Sequence, residues 1–341
     1  MKQNKIVALW LLAVSCLIVV MVLLGGWVRL TRSGLSMVEW HVATGVVPPL
    51  GAEAWNEVFS KYRQTPEYRE INVDMSLEQF KRIYYREYSH RILGRLTGLS
   101  FVVPLFVFLV RGTLPWRRAP AYLAIGILFA LQGLVGWLMV ASGLIDQPQV
   151  SHYRLTLHLL CALALLAACL WLAFEHASVR PARLCGSASV PIRALSVALL
   201  LAICVQIAAG GLVAGLKAGH LSNTFPKMFG QWIPQGLMWM QPWIRNVVEN
   251  HATVHFQHRW FAFVVLGTGL ALVLRLRRES GYSSQLRVST SVLFHFLLLQ
   301  VLLGVVVIIL QVPIALASLH QAVALAIFCL ALFICHRIFR A

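Results

Sequence analysis

The chain has 341 residues, of which 59% are hydrophobic and only 12% charged, yet its formal net charge is +17. Soluble globular domains are about a quarter charged, so that class is excluded. The basic excess sits in short loops between apolar runs, which makes nucleic-acid binding a poor explanation for it.

Eight apolar runs, each of about 20 residues and able to cross a hydrocarbon core of about 30 Å, fall at 6–26, 90–110, 121–143, 154–174, 194–216, 256–275, 288–311 and 316–336. The expected fold is all-α: a polytopic membrane protein with eight transmembrane helices in two pseudo-symmetric four-helix bundles. Residues 1–28 read as the first span, without the cleavage site of a signal peptide. No amphipathic, Arg-rich presequence precedes it, which favours a bacterial inner (plasma) membrane. Residues 29–88 form an outer loop holding eight of the twelve acidic residues. Within it, Leu77, Phe80, Ile83 and Tyr84 recur at helical spacing, and Ser76 with Gln79 fits a capping box. This predicts an amphipathic helix lying on the outer surface. Residues 89–175 carry spans two to four, 176–193 a cytoplasmic linker, and 194–341 spans five to eight. Within the last part, 217–254 is a Trp-, Pro- and Met-rich outer segment that reads as a lid.

Short loops set the orientation. Arg111, Arg117 and Arg118 follow span two; Arg180, Arg183 and Arg193 follow span four; Arg275, Arg277, Arg278 and Arg287 follow span six. Lys2, Lys5, Arg337 and Arg340 put both tails on the same side, whereas 144–153 and 312–315 hold little charge beyond Asp146. Both termini are therefore expected in the cytoplasm. The seven cysteines (16, 161, 169, 185, 204, 329, 335) form no CxxC or CxxCH, which argues against a disulfide, a zinc site or covalent heme attachment.

The two four-span halves read as a parallel duplication. Gly25-Gly26-Trp27-Val28 ends span one as Gly210-Gly211-Leu212-Val213 ends span five. Gln132 to Gly136 in span three answers Gln300 to Gly304 in span seven. His90-Arg91 opens span two as His258-Arg259 opens span six, and Leu157-His158 is echoed by Leu319-His320. Four histidines thus lie at one depth near the periplasmic face, paired as His90 with His158 and His258 with His320. Ionisable groups inside a membrane mark function by default, and neutral imidazole is the usual heme ligand. Two bis-histidine hemes are the expectation. Gly94 and Gly98 in span two would let a porphyrin approach the backbone.

Glu87 separates the halves. It precedes His90 by one helical turn, while His255 holds the equivalent place before His258. This asymmetry suggests a catalytic half and an electron-transfer or structural half. Arg91, Arg95, Arg154 and Arg259 are placed to bind heme propionates. His152, His251 and His255 are outer histidines that read as non-ligands, and His41, His176, His220, His295 and His336 lack a symmetric partner.

The run Gly26-Trp27-Val28-Arg29-Leu30-Thr31-Arg32-Ser33-Gly34-Leu35-Ser36-Met37, with Glu39-Trp40, resembles the first outer loop of heme A synthases of the proteobacterial and mitochondrial branch. The stretch Phe80 to Arg95 resembles that family's entry into span two, and His258-Arg259 and Ser318-Leu319-His320-Gln321 resemble its later heme motifs. The resemblance covers essentially the whole chain. It implies successive hydroxylations of the C8 methyl of heme O to a formyl group, giving heme A for cytochrome c oxidase. It makes His90 and His158 the ligands of the substrate heme, Glu87 essential beside it, and His258 and His320 the ligands of a resident heme B. Other members carry a cysteine pair in the first outer loop; this chain has none there. The expected partners are heme O, the lipid bilayer, an electron acceptor, the farnesyltransferase that makes heme O, and a second copy of the chain. The rival reading is a diheme b-type cytochrome passing electrons from quinol to a redox protein, which leaves Glu87 and the half-to-half asymmetry unexplained. A proton-relay transporter is a weaker rival, because the spans hold no mid-membrane carboxylate.

Overall fold

The computed structural model describes residues 4–40, 45–145, 147–177 and 189–340. Lys2, His41, Asp146, Arg180, Arg183 and Cys185, which entered the sequence reading, lie outside the described residues. Eleven α-helices run in order among those described: α1 (Lys5–Leu30), α2 (Gly51–Tyr62), α3 (Pro66–Glu70), α4 (Leu77–Val110), α5 (Ala119–Ala141), α6 (His152–His176), α7 (Val190–Gly215), α8 (Arg245–Val248), α9 (His251–Arg278), α10 (Ser284–Ile309) and α11 (Ile314–Phe339). Eight of them (α1, α4, α5, α6, α7, α9, α10 and α11) are long and apolar enough to cross a membrane. Many of their large apolar side chains face outward, among them Leu96, Leu99, Val103 and Phe106 on α4. Water would penalise such a surface and lipid does not, so this is a multi-pass helical membrane protein.

One boundary differs from the sequence expectation. The amphipathic segment after Ser76 is not a separate surface helix; it is the first part of α4, which runs unbroken through 34 residues. At 1.5 Å per residue that is about 51 Å, well beyond the bilayer core, so α4 projects past the membrane. The cause is local: no Gly or Pro interrupts the chain from Leu77 to Leu93. The capping box is present as expected, with Ser76 Oγ accepting from the Gln79 amide at 3.3 Å and Gln79 Oε1 accepting from the Ser76 amide at 2.8 Å.

The projecting end of α4 is covered by the first outer loop. Trp55 and Tyr62 of α2 close with Phe80, Ile83 and Tyr84 of α4 and with Met37 into a small core. Phe80 and Tyr62 are fully buried, their ring centroids 4.9 Å apart. Burial, with Glu67 nearby, raises the Tyr62 hydroxyl above its ordinary range. That hydroxyl accepts from Asn72 Nδ2 at 2.8 Å.

Contacts divide the chain into two units, Ala13–Leu166 and Met1–Leu12 with Ala167–Ala341. The division passes through α1 and α6, although the sequence reading set the halves apart at the 176–193 linker. The start of α1 and the end of α6 join α11 instead. The Asn4 amide donates to the His176 carbonyl at 3.3 Å, and Glu175 Oε1 lies 3.2 Å from His336 Nε2 and also pairs with Arg340. In this unit α7 packs on α9 and α11, and α10 packs on the same two, so four helices close a ring. The lid residues are tied to the start of α9, where Asn250 caps the helix and its Nδ2 donates to Gly236 O at 2.9 Å.

Phe80→Ala should cost the outer loop core about 3–5 kcal/mol. Limited proteolysis would then cut between residues 45 and 75 far faster than in the unaltered protein; an unchanged rate would show that this core does not hold the loop.

Candidate functional site

Each of the four paired histidines meets a glycine on another helix. A Cβ built on Gly25 of α1 would fall 2.9 Å from Nε2 of His90, and one on Gly136 of α5 would fall 2.9 Å from Cε1 of His158. In the other unit, a Cβ on Gly210 of α7 would lie 3.1 Å from Cε1 of His258, and one on Gly304 of α10 would lie 3.2 Å from Cε1 of His320. At 2.9 Å a Cβ would force a shift outright, and at 3.1 to 3.2 Å the ring would have to give by a few tenths of an ångström, so glycine leaves the ring its room. The four glycines also share a place, each five residues before the end of its helix: 25 before 30, 136 before 141, 210 before 215 and 304 before 309. His158 and His320 stand six residues past the starts of α6 and α11, at 152 and 314.

The pairing expected from the sequence is compatible with this geometry. Each expected pair lies within one unit, His90 with His158 and His258 with His320. All four rings are half-buried. Nδ1 of His158 and Nδ1 of His320 are shut away from solvent with no hydrogen-bond partner, as are the Oε1 atoms of Gln132, Gln206 and Gln300 beside the rings. Buried polar atoms are seldom left unsatisfied, so open imidazole nitrogens fit a group that binds there. The described residues hold no cluster of three or more His, Cys, Asp or Glu able to enclose a bare ion. A donor set of two imidazoles on a glycine-lined surface suits an iron already held by a macrocycle. Of the glycines expected to admit it, Gly98 has open space around it, and a Cβ built on Gly94 would fall 3.4 Å from the Met21 methyl.

The carboxylate of Glu87 is buried and saturated. Oε2 accepts from Ser36 Oγ at 2.8 Å and from the Met37 amide at 2.9 Å; Oε1 accepts from Arg91 Nη2 at 2.6 Å and Nε at 3.1 Å. Arg91 then donates to Met37 O at 2.8 Å and Glu39 O at 2.9 Å, with its guanidinium over the Trp40 ring. Glu87 and Arg91 thus clasp the first outer loop onto α4, one turn above His90. Arg259 does the same work in the other unit. It donates to His255 Nε2 at 3.0 Å, to Ser222 O at 2.7 Å and to Thr224 O at 2.7 Å. Each arginine holds the residue four before it and two loop carbonyls two residues apart, which is a second mark of duplication.

The remaining expected residues are placed less centrally. Arg95 Nη1 donates to Arg91 O at 3.1 Å, and exposed Arg154 donates to Leu138 O at 2.6 Å. Sequence reasoning missed Ser36 and Met37 as partners of Glu87, and missed Gln206 altogether. Gln206 precedes Gly210 by four residues, as Gln132 precedes Gly136 and Gln300 precedes Gly304, so the repeated spacing was a usable signal.

Gly136→Val and Gly304→Val should each force the facing ring aside at a cost of about 1–3 kcal/mol. The check is heme per polypeptide in purified protein, where each variant should lose heme and leave the other unit filled. Full occupancy in both variants would show that these contacts do not shape a binding site.

Comparison with known proteins agrees with the geometry. The family model COX15-CtaA, described as cytochrome oxidase assembly protein, matches residues 8–332. A protein of Nitrosospira multiformis named heme A synthase is 42% identical, the alignment covering 99% of this chain and 94% of that one. Others of the same name are similar: one from Rhodopseudomonas palustris strain BisB5 at 42% identity, over 97% of this chain and 90% of its own, and one from Wolbachia pipientis wMel at 39%, over 96% and 91%. With histidines, glycines and loop clasps repeated along a chain that these relatives match almost end to end, the protein belongs to the COX15-CtaA family of cytochrome oxidase assembly proteins.

Proposed function

We propose that the protein is a heme A synthase of the bacterial inner membrane, an oxidoreductase that converts the C8 methyl of heme O to the formyl group of heme A. Two successive hydroxylations would give a geminal diol, which loses water. The observation that carries this reading is the set of four histidine–glycine contacts, two in each unit. In it, His90 and His158 hold the substrate heme O, while His258 and His320 hold a resident heme B. None of the relatives described above is named as an electron-transfer cytochrome, and the diheme alternative gains no support from them.

When bound, heme supplies a redox-active iron that can carry electrons away from the carbon being oxidised. The chain's own residues bind, orient and shield. His90 with His158, and His258 with His320, would hold the iron, and Gly25, Gly136, Gly210 and Gly304 leave room for their rings. The Glu87–Arg91 clasp holds residues 36–39 against α4 one turn from His90. In this unit Glu87 neutralises Arg91, the arginine one residue past His90. Arg259, paired only with neutral acceptors, keeps its charge. That difference supports an exchangeable substrate in one unit and a retained heme in the other. Apolar side chains facing outward from α4 and α5 suit the farnesyl tail of heme O. The arginines at 111, 117, 118, 193, 275, 277, 278 and 287 support cytoplasmic termini, with the heme sites toward the periplasm.

Glu87→Gln removes one partner of a buried ion pair. It should lower heme A formation more than about tenfold while heme stays bound. Chromatography of extracted hemes, after co-expression with a heme O-producing enzyme, checks this. A normal heme A yield would remove Glu87 from the site. His258→Ala or His320→Ala should lower the heme B content, and unchanged heme B per polypeptide would refute that pair as its ligands.

A further inference from the structure

The contact between Gly25 and His90 sets the register of two antiparallel helices, and that register can be followed outward. Met21 of α1 faces Gly94 of α4, where a Cβ would fall 3.4 Å from the Met21 methyl. Four residues on along α1 and four back along α4, Gly25 meets His90. The next step of four brings Arg29 and Arg86 to one level, a helical turn or about 6 Å to the outer side of the ring. The two helices touch there as well, since the Arg86 guanidinium lies over the Trp27 ring, 5.2 Å from its centroid.

Neither guanidinium has a hydrogen-bond acceptor or a carboxylate partner among the described residues. The arginines expected from the sequence to receive heme carboxylates in this unit are engaged elsewhere: Arg91 by Glu87, Arg95 by the Arg91 carbonyl and Arg154 by the Leu138 carbonyl. Arg29 stands inside α1, and an arginine within a span marks function by default. Arg86 also lines an open cleft of about 630 Å³ with Asp74, Gln79 and Arg82, so it can be reached from outside. The other unit has no counterpart. Four residues past Gly210 stands Ala214, and four before His258 stands Val254, fully buried and packed with Leu216 and Ala218. The duplication that repeats the histidines, the glycines and the loop clasps stops at this level.

We infer that Arg29 and Arg86 bind the two propionate carboxylates of the substrate heme, an anchor that the other unit lacks. This deepens the reading proposed above and rests on it. A heme carries both carboxylates on one edge, and two guanidiniums at one level, one from each helix, match that edge. The Trp27 contact steadies the Arg86 side chain without using any of its N–H donors. In heme O the methyl to be oxidised shares a pyrrole with one propionate, so fixing the acidic edge fixes that methyl as well. Arg29 and Arg86 are half-buried, whereas Arg259 is buried. Ion pairs open to solvent are screened and easily broken, which suits a ligand that leaves after each turnover.

Titration of heme O and of its dimethyl ester into the purified protein, resident heme in place, tests this without any measure of turnover. A low-spin bis-imidazole spectrum for added heme O, lost in His158→Ala, checks the underlying reading; if that spectrum is absent, the reading fails and the inference with it. Given that spectrum, the ester should bind the unaltered protein about tenfold or more weakly than heme O. Arg29→Gln and Arg86→Gln should each weaken heme O binding about tenfold while leaving the ester's affinity and the resident heme content unchanged. The comparison of the two ligands on the unaltered protein stands even where a variant fails to fold. The inference alone is overturned where ester and acid bind equally well, as they would if lipid headgroups occupied the arginines, or where the variants weaken both ligands alike.

Discussion

An imidazole set against a bare backbone is the constraint from which the rest follows. A ring that close to a neighbouring helix needs glycine there, and glycine within a helix is unfavourable by about 1 kcal/mol relative to alanine. The chain accepts that cost four times, at Gly25, Gly136, Gly210 and Gly304, always at the same distance from the helix end. What the glycines give is depth. The histidines can reach the space between helices with their rings half-buried, and those of His158 and His320 keep Nδ1 unspent. Buried unspent nitrogens are unfavourable by themselves and become favourable once something binds them.

The arginine after the histidine does a second job. Arg91 and Arg259 each bind two carbonyls of the segment that caps their unit. Carbonyls impose no sequence requirement, so the two capping segments are free to differ. One is a small aromatic core built on α2 and α4, and the other is a Trp- and Pro-rich coil anchored at Asn250. The anchor is repeated and the cover is not, which explains why the duplication is visible in the spans and invisible in the loops.

The eight spans were legible because length and apolarity are properties of a segment alone. The capping box at Ser76 was legible for the same reason, as was the one-turn relation of Glu87 to His90. The continuity of α4 was hidden because a change from amphipathic to apolar composition reads like an end of a helix, although no backbone breaker lies there. The partners of Glu87 were hidden for a different reason: Ser36 and Met37 are about fifty residues away, and no local pattern joins them. Half of the glutamine motif could be read. The spacing of Gln132, Gln206 and Gln300 from glycine repeats in the sequence, but their target, a histidine carbonyl on another helix, exists only once the helices pack.

Charge is where the two units part company. Two opposite charges 4 Å apart attract by about 4 kcal/mol at an effective dielectric of about 20. Glu87 takes that interaction for Arg91, at 2.6 Å and largely out of water. Arg259 faces His255, whose Nε2 accepts a hydrogen bond from it and is therefore unprotonated, and its other two bonds go to carbonyls. A buried cation without a counter-ion is costly, and an incoming carboxylate relieves it. Glu stands four residues before the arginine in one unit and His in the other, so a carboxylate answers Arg91 where a neutral ring meets Arg259.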